Sequence, residues 1–146
     1  AKAEGLGQRV RLLPLVGLWA PLHATAAGKL WLASLPEAGV KRALGRGRLR
    51  AVAPRTITSL TGLRSELRAI RARGYAVSDE ELAEGGRAIA APIRCDGEIV
   101  GAVAISGPAY RLSLERLDAL APRAIRAADR LASIWPAHAS AKEFTR

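Results

Sequence analysis

A chain of 146 residues, 49% apolar and 25% charged, can build one domain with a real core, is short for two, and is too apolar for a disordered chain. No apolar run reaches the roughly 18–20 residues of a membrane span, and the opening AKAEGLGQRVR holds no hydrophobic leader segment. The net charge of +10 raises nucleic acid as a partner, but the arginines are scattered over helix faces (Arg64, Arg68, Arg71; Arg116, Arg123, Arg126, Arg130) and read as solvated surface.

In chain order, QRVRLLPLV (8–16) alternates polar and apolar residues as a strand does, and AKAEG before it suits a hairpin partner across GLGQ. Thr25 is a good N-cap for a helix over AAGKLWLASL. Gly28 inside that helix costs about 1 kcal/mol relative to alanine, so something should need it. Pro36 suits the first position of a short helix, PEAGVKRAL. The acid-free run KRALGRGRLRAVAPR (41–55) reads as an exposed connection, with no helix-turn-helix or zinc-finger pattern beside it. The clearest helix is SLTGLRSELRAIRAR (59–73), capped by Ser59, striped by Leu60, Leu63, Leu67 and Ile70, and ended by Gly74.

YAV (75–77) reads as a short strand and SDEELAEGG (78–86) as an acidic connection. RAIAAPIRC (87–95) and EIVGAVAIS (98–106) are strands joined by Asp96-Gly97, a strong two-residue hairpin signal. Pro92 argues for an edge or a bulge, and Gly101 for close approach. Ser113 caps a last helix, LERLDALAPRAIRAADRLASIW, which Pro122 should kink or split. The tail PAHASAKEFTR should fray. Hairpins plus grouped helices predict an α+β domain with an antiparallel sheet.

The stretch APLHATAAGKLWLA (20–33) raises the question of a phosphate site. A Walker loop needs glycine, four residues, then Gly-Lys-Ser/Thr. Here His23 stands at the first glycine's position and Leu30 at the hydroxyl's, so no nucleotide cofactor is expected. His23 and His138 are too far apart for the usual zinc spacing, and no metal is expected either. Cys95 is the one cysteine, which excludes an internal disulfide framework, and a cytoplasmic protein is the simple reading. A different anion site stays open. The small residues Ala26, Ala27 and Gly28 would let a carboxylate approach the N–H groups of a helix N-terminus, or would simply permit close packing.

PLHATAAGKLWLA (21–33), IRARGYAVSDEE, AIAAPI and AISGP, in this order and spacing, resemble the effector-binding domain of IclR-type transcriptional regulators over roughly residues 8–134. The resemblance implies a GAF-like antiparallel sheet flanked by helices, a small carboxylate or aromatic-acid effector, and homodimer or tetramer assembly. No cofactor, no membrane contact and no catalysis are expected. The chain departs from the family pattern at its start. The domain's usual first helix and strands and the winged helix-turn-helix are expected to be missing, so operator DNA would be reached only through an absent N-terminal domain.

By position in the family, the pocket would be lined by Ala26, Ala27 and Gly28, by Gly86 and Ala88, and by Ala104 and Ser106, with Trp31 as an aromatic wall or a core residue. Ala88 and Ala104 are apolar where family members that bind small polar acids carry hydroxyls or thiols. That implies a roomier pocket suited to a bulkier acid. His23 would make a structural bond. Lys29 would neutralise the effector or point to water. Asp79, Glu80, Glu81 and Glu84 would form a solvated rim, and Cys95 would be incidental. The alternatives are an assembly module with a degenerate pocket, for which the two alanines argue, and a small hydrolase built on Ser106 with His23 as base.

Overall fold

The computed structural model describes residues 19–135 apart from residue 46; the predicted N-terminal hairpin and the tail lie outside the described residues. A 3-10 turn (Leu22–Ala24) leads into α1 (Ala26–Ser34), where Thr25 caps the helix by accepting the Gly28 N–H at 3.0 Å. Then come α2 (Glu37–Leu44) and α3 (Leu60–Arg73). Pro36 is the cap of α2, one position earlier than expected. Ser59 caps α3 through the Gly62 N–H. Gly74, with φ of 84°, ends it in the left-handed region that only glycine adopts without strain. Leu63, Leu67 and Ile70 of the expected stripe are buried; Leu60 is half exposed.

Three antiparallel strands follow in the order β1-β2-β3: β1 (Ala76–Asp79), β2 (Gly86–Cys95) and β3 (Glu98–Pro108). β1 takes in Ser78 and Asp79, expected in the connection. Asp96 and Gly97 both have positive φ, the conformation of a tight hairpin turn whose twist matches its strands. Pro92 lies beyond Ala90, where the pairing with β1 ends, and the ladder with β3 shifts register between Ile93 and Arg94. An edge and a bulge thus stand side by side, which is why a residue without an N–H is tolerated there.

The sheet is covered on both faces. Ala76 and Ala90 join Leu30, Leu32, Leu63 and Leu67 in a core beneath α1 and α3. Ile89, Ala91 and Ile93 face Leu117, Ala121, Ala124 and Ala128 of α4 (Leu114–Ser133). Each buried leucine or isoleucine contributes on the order of 1.5–3 kcal/mol. Pro122 does not split α4: the helix runs through it. Its apolar stripe binds both halves to the sheet, and that packing offsets the missing hydrogen bond.

Candidate functional site

The β2–β3 register sets Ala88 opposite Ser106 and Ala90 opposite Ala104, while β1 sets Ser78 opposite Ala88. Side chains alternate across a strand, so Ser78, Ala88 and Ser106 form one cross-strand row and Ala76, Ala90 and Ala104 the next, both on the α1 face. Gly86 continues this face at the start of β2, opposite Pro108. Small residues make a shallow floor, on which Ala104 and Ser106 are exposed and Ala88 is half-buried.

The N-terminus of α1 is fixed to this floor. Ser78 Oγ donates to the Ala24 carbonyl at 3.0 Å inside the core, and Ala24 is wholly buried. His23 Nε2 lies 3.0 Å from the Arg50 carbonyl, so this buried ring makes the structural bond expected of it. It shares no hydrogen bond with Ser106, so these two residues are not paired as base and nucleophile. Ser78 was missed by sequence reasoning because its role exists only once β1 lies under the 3-10 turn.

Gly28 is needed by its own chain. A Cβ there would lie 2.3 Å from the Leu22 carbonyl oxygen and 2.6 Å from Thr25 Oγ1. Ala26 is buried beside it, whereas Ala27 and Trp31, one turn apart, are exposed, Trp31 by 39%. Trp31 is therefore not a core residue.

Lys29 corrects the expectation most sharply. It is 1% exposed, and its Nζ donates to Glu81 Oε1 at 2.7 Å and to Glu66 Oε1 at 3.2 Å. Its charge is balanced inside the fold. The signal was in the sequence: Ala26, Lys29, Leu30 and Ala33 share one helical stripe, and the rest of that stripe is buried. Burial pushes the Glu81 carboxyl above its ordinary pKa, outweighing the pull of Lys29. No donor among the described residues reaches Glu81 Oε2. Thr56, also buried, donates to the Glu81 carbonyl at 2.7 Å and accepts the Val52 and Ala53 N–H groups, tying the basic loop to this centre.

The acidic run is not a solvated rim. Glu81 is buried, Asp79 is paired with Arg55 and Arg87, and Glu80 with Arg87. Arg87 also donates to the Ala109 and Leu112 carbonyls, and its bond to Asp79 holds its pKa above the ordinary value. Only Glu84 is exposed as expected. Among the described residues no cluster of acidic, histidine or cysteine side chains could hold a metal ion, and no helix is long and apolar enough to cross a membrane.

Comparison with known proteins adds three observations. A family model described as the bacterial transcriptional regulator IclR C-terminal domain matches residues 2–133. The HTH-type transcriptional regulator BhcR of Paracoccus denitrificans is 40% identical over 116 residues, which are 79% of this chain and 42% of that protein. Two solved structures share the fold. One is the C-terminal domain of the E. coli transcriptional regulator KdgR (TM-score 0.71, 35% identity, 77% of this chain and 70% of that one). The other is the inducer-binding domain of a double mutant of PobR from Acinetobacter, in complex with 3-hydroxybenzoic acid (TM-score 0.77, 27% identity, 88% and 75%). The chain spans less than half the length of the curated relatives it matches, and the names they carry are those of regulators and repressors, not enzymes.

Proposed function

Because the chain belongs to the IclR family of bacterial transcriptional regulators, as its C-terminal regulator domain, we propose that it senses a small organic acid and passes the signal to an operator-binding region of the same regulator. The observation that carries this reading is the floor of small side chains, Ala88, Ala104 and Ser106, on the face of the sheet that α1 covers. The first turn of α1 offers N–H groups and roughly half a positive charge to a carboxylate. Ser106 can add one hydroxyl. Ala88 and Ala104 leave room for an apolar body, and exposed Trp31 can stand as a wall beside it. With one hydroxyl and two alanines, a hydroxybenzoate-like acid suits the floor better than a two-carbon acid, in keeping with the 3-hydroxybenzoic acid bound to the PobR relative.

Sensing requires two states of the regulator that bind the effector unequally, and a homodimer or tetramer is the assembly through which such a difference would reach DNA. A thermal-shift panel of two- to four-carbon keto acids and of hydroxybenzoates tests the reading. An effector at a hundred times its Kd adds about 2.7 kcal/mol, roughly 5–10 °C for a domain of this size. A shift from the aromatic class alone is expected. A cooperative melt that no acid shifts, in oligomers that no acid alters, would favour the assembly-module reading instead.

A further inference from the structure

A cavity of about 390 Å³ lies between α2 and α3, away from the floor described above and independent of its reading. Val40, Leu44, Leu63 and Leu67 line its depth. Val40 and Leu44 come from α2 and Leu63 and Leu67 from α3, so the space is walled by the apolar ridges of both helices. The volume is in the range of about 300–1,000 Å³ typical of small-molecule sites.

The rim is cationic. Lys41, Arg64, Arg68 and Arg71 stand around it against one carboxylate, Glu37. Arg64 bridges to Glu37 at 2.7 Å across the mouth, and Lys41 lies 4.0 Å from the same oxygen. Arg71 donates to the Ala33 and Leu35 carbonyls rather than to a carboxylate. Arg68 is exposed and makes no ion pair or hydrogen bond with any described residue. An aliphatic floor under an excess of guanidinium groups favours one chemistry: an anionic head with an apolar tail. A second copy of this chain is a poor occupant, because a chain of net charge +10 brings mostly like charge to a basic rim.

We propose that the α2–α3 groove is a second ligand site, one that takes a monocarboxylate with an aliphatic or aryl body, its head group on Arg68 and its tail on Leu44, Leu63 and Leu67. Calorimetric titration of the full chain with octanoate, octanamide and polyglutamate tests it. Octanoate should bind saturably. Octanamide, which lacks the charge, should bind at least about tenfold more weakly, as should octanoate to Arg68→Glu. Arg68 is exposed, so the variant should melt as the parent does, and Arg68→Gln should fall between the two. Ala27→Asp, at the α1 site, should leave octanoate binding unchanged. The proposal is overturned if octanoate does not saturate, if Arg68→Glu binds it as the parent does, if Ala27→Asp abolishes the binding, or if polyglutamate alone binds, which would make the groove a docking site for acidic protein.

Discussion

The Lys29 ammonium and the Glu81 carboxylate meet at 2.7 Å with less than a tenth of either side chain exposed. They join the first turns of α1 to the connection that follows β1. Glu66 of α3 completes the centre, and Arg73 bonds Glu66 from outside at 2.9 Å. Three elements that meet at the α1 end of the sheet are thus held by one buried charge cluster.

Lys29→Ala should therefore cost more than a surface lysine does. It leaves two carboxylates facing one another, one of them buried, at a penalty of about 3–5 kcal/mol. Adding Glu81→Leu should recover a large part of that loss. Urea unfolding of the two single variants and the double variant checks this; additive losses would show that the pair is not coupled.

Glu81 also sets a pH dependence. Its pKa is raised in the folded protein, so its contribution to stability is fully present below the ordinary carboxylate pKa and is lost as pH rises through the raised value. Glu81→Gln stays neutral throughout. Relative to the parent it should gain stability between about pH 4 and pH 8. Denaturant midpoints at both ends of that range test the sign; a gain on going to lower pH would contradict it.

Gly28→Ala should destabilise although alanine is the better helix former by about 1 kcal/mol. The new Cβ meets backbone at Leu22, which can yield only by moving the 3-10 turn. A net loss of about 1–3 kcal/mol is expected from thermal melts. A neutral or stabilising result would mean that the turn is not held where Ser78 and Thr25 hold it.

Ala27 is exposed, so Ala27→Asp should fold normally while setting a negative charge and bulk at the first turn of α1. If the effector's carboxylate docks there, its binding should weaken by more than about tenfold, read as a lost thermal shift. Unchanged binding of the acid identified by the panel would move the effector site elsewhere.

Most of the element order was legible in the sequence, because it rests on local physics. Thr25, Ser59 and Ser113 are caps whose hydroxyls bond N–H groups three residues on, and Asp96-Gly97 is a turn that positive φ dictates. The α+β class follows from that order, and the family from four motifs carried by the same segments. The candidate floor was half legible: period two puts Ala88 with Gly86 and Ser106 with Ala104, but only strand register sets Ala88 against Ser106 and adds Ser78 to the row.

What only the tertiary structure decided is where charge and water end. Lys29, Glu81 and Thr56 look like surface residues in a string of letters, since lysine, glutamate and threonine are mostly exposed. Three segments converge on them and remove the solvent, so their partners had to come from within the chain, 25 to 52 residues away. Desolvation is a property of the assembled fold: the helical stripe of α1 points Lys29 inward, but only the fold brings Glu81 and Glu66 to meet it.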